Sequence, residues 1–463
     1  MTIERTALDD FFATHPQTLE LYQQAQEVLP TGTTHASRYW ESTPGVYFDH
    51  AQGAYKWDVD GNRYTDYWMG HGSLIFGHTH PTITQAIIAQ VSKGTHFGGN
   101  NPGEVRWAHL INKLIPSAEK VRFFSSGTEA TMMAMRLARA YTGRNKIIKL
   151  EGRFHGWNDY SSINQSNVAP LGIPQAVADN MLVLRPNLSE VQQAFATDRD
   201  IAGIILEADG ASWGAVPNPP GLLAGLRELT QREGALLIFD EIVSGFRYGP
   251  GGVQAIEGVT PDLTCLAKIL AGGLNGGAIG GKAEIMAAFD PAAGKGFIRH
   301  HGTFNGNPLS AAAGIAALSM IAAENAQTEI YDYIGRLGNK LRAGLQAAIV
   351  EAGLKGKAIS YGAGSVFHIL LGGANPVEWP EDGNIMAESF RETLERPDVQ
   401  ARLKAGLPTE VVEALRVEMD VRGVQFMGGH GGFVSVAHTE QDIENTVEVF
   451  AQSLAALRKA GVL

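Results

Sequence analysis

The sequence predicts an α/β fold with a large domain built on a mostly parallel β-sheet, and a second, smaller α+β domain. From about residue 82 to residue 330, helical stretches alternate with short apolar runs, which is the pattern of a parallel sheet covered by helices. From about residue 335, a helix precedes the strand-like runs 365–371 and 432–436, and an amphipathic helix ends the chain. The predicted bounds are 1–75 for an N-terminal segment, 76–334 for the large domain and 335–463 for the C-terminal small domain.

The N-terminal segment begins with a helical stretch that ends at Leu29 and Pro30. Further on, two alternating runs flank Asp60 and Gly61, a pair that favours a β-hairpin turn. The stretch 77–81 comes before a helical pattern and is typical of a loop that starts a helix. Its two histidines, like those of the His300-His301 pair, have no evident third ligand group, so the sequence predicts no metal site.

Composition narrows the class of protein. The 463 residues are enough for two domains, and the net charge of −11 without any basic cluster argues against a nucleic-acid partner. One cysteine permits no disulfide within the chain, which fits a reducing compartment. The first residues lack the pattern of a secretory signal, and no apolar run approaches the ~20 residues that span a bilayer. We therefore expect a cytoplasmic enzyme without a membrane partner.

Four short apolar runs in the predicted large domain have the length and composition of strands buried on both faces. They are 121–125, 146–150, 202–207 and 235–240. Open α/β sheets bind their ligands at the carboxyl ends of such strands. The acidic residues Glu207 and Asp240 close two of the runs, so both are candidates for a ligand site.

Asp240 and the later Lys268 suit pyridoxal 5′-phosphate (PLP), since this cofactor needs a carboxylate at its pyridine nitrogen and a lysine for its Schiff base. Taken alone, the two residues fit a helix cap and a surface lysine better. The motif from Ser125 to Ala130 follows a predicted strand and begins a helix, which indicates either a phosphate site or a simple serine N-cap. Phe154 follows another strand and is placed to stack on a planar ring.

A further hydroxyl, Thr303, lies shortly before a helix that we expect Asn307 to cap and Pro308 to begin. Together and in this order, the motifs resemble the class III aminotransferases of PLP fold type I, from about Pro30 to the last helix. The most specific part is the pairing of Asp240-Glu241 and Gly245-Phe246-Arg247 with Pro261-Asp262, Lys268 and Gly272-Gly273. The resemblance implies a small domain formed from both chain ends and an obligate homodimer with shared sites.

The resemblance also implies roles for individual residues. Lys268 holds PLP through the Schiff base, and Asp240 keeps its pyridine nitrogen protonated. The other implied cofactor-binding residues are Ser126, Gly127 and Thr128 at the phosphate, Thr303 at the phosphate of the neighbouring subunit, Phe154 and Val243 on the two ring faces, His155 beside Phe154, and Glu207 near the ring oxygen. Phenylalanine at position 154 departs from the tyrosine that is commoner in the family.

Within the family, the chain resembles most the glutamate-1-semialdehyde aminomutases, through residues 126–130 and 437–443. It departs from them at His71, where they have tryptophan, and at His430, where they have glutamate. Arg38 matches an arginine that meets a substrate carboxylate there, although an exposed loop arginine is an equal alternative. Arg38, His71 and His430 are thus the candidate substrate residues.

These departures favour an aminotransferase that moves an amino group from an amino acid, with the amine on the α- or β-carbon, or from an amine, to a keto acid. The alternative is glutamate-1-semialdehyde 2,1-aminomutase, an isomerase. Racemase, PLP lyase or decarboxylase activity, and a non-enzymatic binding protein, are the remaining possibilities.

Overall fold

The computed structural model describes residues 6–293, 296–371, 377–380, 382–385 and 388–463. The chain divides into two compact units. The terminal unit comprises Met1–His80 and Asp332–Leu463, and the central unit comprises Pro81–Tyr331.

The helices and strands follow in chain order. The first part of the terminal unit contains α1 (Ala7–Thr14), α2 (Pro16–Val28), β1 (Phe48–Gln52), β2 (Tyr55–Asp58), β3 (Arg63–Asp66) and α3 (Met69–Gly72). The central unit contains α4 (Pro81–Val91), α5 (Pro102–Leu114), β4 (Lys120–Phe124), α6 (Gly127–Thr142), β5 (Lys146–Leu150), α7 (Gln175–Ala178), β6 (Met181–Leu184), α8 (Leu188–Thr197), β7 (Ile201–Glu207), α9 (Ala211–Gly214), α10 (Leu222–Glu233), β8 (Leu236–Asp240), α11 (Gly252–Glu257), β9 (Leu263–Ala267), β10 (Gly277–Gly281), α12 (Ala283–Met286) and α13 (Pro308–Ile321). The second part of the terminal unit contains α14 (Tyr333–Glu351), β11 (Ile359–Tyr361), β12 (Val366–Leu370), α15 (Arg391–Glu395), α16 (Pro397–Ala405), α17 (Thr409–Asp420), β13 (Val424–Gln425), β14 (Gly431–Phe433) and α18 (Glu440–Lys459).

The central unit is built on a seven-stranded sheet in the order β4-β10-β9-β8-β7-β5-β6. Strand β10 runs antiparallel to both of its neighbours, and the pairings from β9 to β6 are parallel. Every residue of β7 and β8 is buried, because helices cover both faces of the sheet. The mostly parallel sheet of the predicted fold class is confirmed, and the four predicted apolar runs correspond to β4, β5, β7 and β8.

Strand β10 was not predicted, since it consists of glycine and alanine around Ile279. The reason for this composition is close packing. A Cβ atom added at Gly277 would lie 2.3 Å from the carbonyl oxygen of Ser126, and one added at Gly281 would lie 2.5 Å from Leu263. The strand therefore approaches its neighbours more closely than a larger side chain allows.

The terminal unit contains two smaller sheets. The predicted hairpin is confirmed, because β2 and β3 pair antiparallel on either side of Asp60 and Gly61. Strand β13, from the far end of the chain, pairs parallel with β3. The second sheet has the order β11-β12-β14. The sheet that joins β3 to β13 confirms a small α+β unit formed from both chain ends.

Candidate active site

The acidic residues Glu207 and Asp240 lie side by side at the carboxyl ends of β7 and β8, and both are buried. On the next strand, Cys265 of β9 is in register with Asp240. Lys268 comes directly after β9. Two carboxyl groups and a lysine thus follow three adjacent strands, at the edge where a parallel sheet gathers its ligand-binding residues.

The carboxylate of Asp240 is held by two hydrogen bonds. Its Oδ1 accepts the backbone N–H of Ile242 at 3.1 Å, and its Oδ2 lies 2.7 Å from Nδ1 of His155. The backbone carbonyl of His155 accepts the hydroxyl of Thr131 at 2.6 Å. His155 is thus fixed by Thr131, and its ring in turn orients the carboxylate of Asp240. Its Nε2 is buried and has no hydrogen-bond partner among the described residues.

Lys268 adopts a left-handed backbone conformation, with φ of 53°. For a residue with a side chain this costs about 1–2 kcal/mol, and such strain concentrates at functional sites. Burial lowers the pKa of Lys268, while the nearby charge of Asp240 opposes that change. Because the neutral amine is the nucleophilic form, the lowered pKa makes Lys268 a suitable residue for covalent chemistry.

The beginning of α6 offers an anion site. Ser126 caps the helix, and its hydroxyl accepts the N–H of Glu129 at 3.3 Å. The N–H groups of Gly127 and Thr128 donate no hydrogen bond within the described part of the chain. A Cβ atom at Gly127 would lie 2.7 Å from Cδ1 of Ile242, so a larger residue here would displace the Ile242 side chain from the helix start. Unused N–H groups and the positive end of a sixteen-residue helix suit a phosphate.

Glu207 holds two loops by their backbones. Its carboxylate accepts the N–H groups of Phe154 at 2.9 Å, Ser212 at 3.1 Å and Trp213 at 3.0 Å. Ser212 and Trp213 have φ of 51° and 54°, so α9 is a left-handed turn. Burial raises the pKa of Glu207, and the charges of His155 and Arg153 oppose this. We infer that these hydrogen bonds stabilise the strained turn and fix the backbone position of Phe154.

The side chains of the other predicted cofactor residues are more exposed to solvent. The side chain of Phe154 is 66% exposed, and Val243 is half-buried after Asp240. Thr303 is exposed, and its hydroxyl makes no hydrogen bond to any described residue. Its carbonyl oxygen lies 2.6 Å from Nε2 of His96. Thr303 is therefore not joined by hydrogen bonds to the α6 start of its own chain.

Two buried charged residues of the central unit were not predicted. Arg153 donates to Oδ1 of Asn218 at 2.5 Å, and burial lowers its pKa. Lys149 of β5 donates to the carbonyl oxygens of Ser161 and Ile163 and to Oδ1 of Asn164, at 2.6, 3.1 and 2.9 Å. The sequence signal for the buried Lys149 was its position as a charged residue within the apolar run 146–150. Burial lowers the pKa of Lys149 to about 8, and its three oxygen partners indicate that it holds a loop.

Two of the three predicted substrate residues line one cavity of the terminal unit. This cavity has a volume of about 670 Å³, and both Arg38 and His71 contribute to it. His71 belongs to α3, in which all four residues have positive φ, so α3 is a second left-handed turn. The carboxylate of Asp66 accepts the N–H groups of Trp68 and Met69 at 2.9 and 3.2 Å and so holds the start of this turn.

His430 does not line this cavity. It precedes β14, and its Nδ1 lies 2.6 Å from the carbonyl oxygen of Gly428. Burial lowers the pKa of His430. The structure therefore groups Arg38 with His71 in one cavity lining and does not include His430 in that lining.

Within the described ranges, no group of three or more histidine, cysteine, aspartate or glutamate residues is arranged to bind a metal ion. In the same ranges, no helix combines the length and apolar character needed to cross a membrane.

The residues present fit PLP. The buried Asp240 carboxylate suits a protonated ring nitrogen, the α6 start suits the phosphate, and Lys268 suits the aldehyde. The unpaired Nε2 of His155 lies on the residue that orients Asp240 and provides a further donor or acceptor there. Fold and site together define a PLP-dependent enzyme of fold type I.

Comparison with known proteins gives the family. Residues 36–357 match the family Aminotransferase class-III, and the chain belongs to it. The chain is 38% identical over 455 residues to glutamate-1-semialdehyde 2,1-aminomutase 2 of Staphylococcus haemolyticus, which covers 96% of this chain and 99% of the relative.

Solved structures agree with this assignment. An omega-transaminase from Sphaerobacter thermophilus is similar with a TM-score of 0.82 and 33% identity, over 95% of this chain and 98% of that one. A transaminase with PLP bound is similar with a TM-score of 0.83 and 31% identity, over 97% and 99% of the two chains. The predicted family, fold class, enzyme class and cofactor are confirmed.

Proposed function

We propose that the protein is an aminotransferase that moves an amino group from an amino acid, with the amine on the α- or β-carbon, or from an amine, to a keto acid such as pyruvate or 2-oxoglutarate. The observation that carries this choice is the position of His71 in the Arg38 cavity. The ring of His71 packs edge-on against that of Trp68, with 5.0 Å between the ring centres, and its centre lies 5.7 Å from that of the His35 ring. The aminomutases carry a tryptophan at the position that matches His71, so the side chain at this point of the cavity lining differs.

Each central-unit residue has a defined task in this proposal. When bound, PLP accepts the electrons of the substrate's C–H bond. Lys268 Nζ would accept the proton from that carbon and later donate it again, a role for which its lowered pKa provides the neutral amine. Asp240, fixed by Ile242 and His155, keeps the proton on the ring nitrogen by a charge-assisted hydrogen bond.

The remaining central-unit residues bind and orient. Ser126, Gly127 and Thr128 hold the phosphate at the start of α6. Phe154 and Val243 would hold the two faces of the ring, and Glu207 keeps the Phe154 backbone in place by accepting its N–H. In the terminal unit, Arg38 pairs with the carboxylate of the amino donor, for which a guanidinium is well shaped.

We further propose a cytoplasmic homodimer in which Thr303 completes the phosphate site of the partner subunit. Support comes from the exposed hydroxyl of Thr303, which bonds to no described residue. Sedimentation at assay concentration tests the dimer. A fully active monomer would contradict it.

The alternative is the aminomutase reaction, which the 38% identity to the Staphylococcus haemolyticus aminomutase favours. The two reactions differ in their need for a second substrate. We expect little 5-aminolevulinate when glutamate 1-semialdehyde alone is offered to the enzyme, and turnover of an amino acid only when a keto acid is added. Rapid 5-aminolevulinate formation without a keto acid would establish the alternative and refute the proposed function.

A further inference from the structure

The cavity that contains Arg38 and His71 is lined in part by aromatic residues. Its volume of about 670 Å³ falls within the range of sites for small molecules. Five aromatic side chains line it, namely Tyr22, Trp40, Tyr47, Phe48 and Trp68. Aromatic walls of this kind favour a planar apolar group over a short polar chain.

Other side chains hold several of these rings in place. The guanidinium of Arg416 lies 4.5 Å from the ring centre of Trp40, and Nζ of Lys56 lies 4.2 Å from that of Phe48. His71 packs edge-on against Trp68. Because the rings are already fixed by these contacts, a ligand that packs on them orders few additional side chains.

Among the described residues that line the cavity, Lys56 is paired with an acid and Arg38 is not. Lys56 Nζ lies 2.9 Å from Oδ1 of Asp66, whose Oδ2 lies 2.8 Å from Nε2 of His78. Lys56 and Asp66 are both buried, so the charge of Lys56 is compensated within the protein. The other acid of the lining, Asp49, lies 2.9 Å from its neighbour His50 at the surface.

Arg38 is different from Lys56. Its Nη1 donates to the hydroxyl of Thr34 at 3.1 Å, and no carboxylate of a described residue lies within ion-pair distance of it. A guanidinium with a single hydroxyl partner keeps most of its donors for an incoming anion. Within the described lining, the cavity therefore offers a carboxylate site at Arg38 beside several aromatic residues.

We propose that the amino donor is an aromatic amino acid with a single carboxylate, which pairs with Arg38 while the ring packs against the aromatic side chains of this cavity. The inference rests on the proposed transamination and names its substrate class. A donor with a second carboxylate gains nothing in this cavity, because Asp66 already neutralises Lys56.

The test uses the PLP-loaded enzyme and three ligands that lack an amine: 3-phenylpropanoate, butanoate and glutarate. Binding is measured by calorimetry and by quenching of tryptophan fluorescence. We expect 3-phenylpropanoate to bind roughly tenfold or more tightly than butanoate, since burying a ring removes far more apolar surface from water. We expect glutarate to bind no more tightly than butanoate.

Two variants test which residue binds the carboxylate of the ligand and which binds its ring. Arg38→Gln should weaken all three ligands, whereas Trp40→Leu should weaken only 3-phenylpropanoate. Phe12→Leu, an exposed position of α1 that does not line the cavity, is the matched control and should change nothing. The comparison of ligands on the unmodified enzyme needs no variant, so a poorly folded variant does not prevent the test.

The outcomes separate this inference from the proposed function. Loss of the visible cofactor absorbance with an amino acid and no acceptor reports transamination itself. If some amino acid produces that loss but 3-phenylpropanoate binds no better than butanoate, the aromatic donor is excluded and transamination stands. If 3-phenylpropanoate binds as expected but no amino acid changes the absorbance, both proposals are overturned.

Discussion

Replacing Lys268 with alanine is expected to lower the turnover rate by at least about 10²–10⁴-fold, the usual contribution of a positioned acid–base group. The physical reason is that Lys268 is the amine placed after β9, next to Asp240, with a lowered pKa. PLP should still bind to the variant, because Asp240 and the start of α6 remain. Steady-state assays measure the loss, and equilibrium dialysis measures the retained cofactor.

Lys113→Ala is the matched control for this variant, since Lys113 is an exposed lysine of α5 in the same unit. It should have normal activity. Multiple turnovers at a near-normal rate by Lys268→Ala would rule out the proposed role of this lysine.

Asp240→Asn is expected to slow the proton-transfer step by about 10²-fold or more, with a small change in thermal stability. The amide keeps the shape of the side chain and can still accept the N–H of Ile242 at Oδ1. It removes the negative charge that keeps the ring nitrogen protonated. Single-turnover kinetics with an amino acid measures the effect on this step.

Asp290→Asn, at an exposed position of the central unit, serves as the control and should leave the rate unchanged. A near-normal rate for Asp240→Asn would show that the charge of Asp240 is not required.

Much of the central sheet could be predicted, because buried parallel strands appear in a sequence as short apolar runs. Strand β10 could not, since its glycines are determined by packing against Ser126 and Leu263, and this packing is visible only in three dimensions. The pairing of His155 with Asp240 joins residues 85 positions apart, and no local pattern reveals it.

The two left-handed turns were also hidden from the sequence. Ser212, Trp213 and His71 are ordinary residues whose preferred backbone is not left-handed. They adopt this conformation in turns whose backbone N–H groups are held by the buried carboxylates of Glu207 and Asp66. Sequence reasoning named Glu207 as a site residue, but it did not predict that its carboxylate would hold the backbone.

For the substrate residues, the motifs gave positions in the chain, and the roles of these residues stay predictions. Arg38 precedes β1 and His71 lies in the turn that follows β3, and both line the terminal-unit cavity. His430 was named by the same argument and is not among the residues that line this cavity. A motif gives the position of a residue in the chain, whereas the backbone of its own turn decides which cavity its side chain lines.

The most direct test of the site is to reduce the PLP-loaded enzyme with borohydride and to map the modified peptide by mass spectrometry. The rival residue is Lys149, which is also buried and has its pKa lowered to about 8. Three oxygen atoms already bind the Lys149 ammonium group, whereas no hydrogen bond to Lys268 Nζ is present among the described residues. We expect the cofactor on Lys268 alone. A cofactor adduct on Lys149, or on any lysine other than Lys268, would contradict the proposed site.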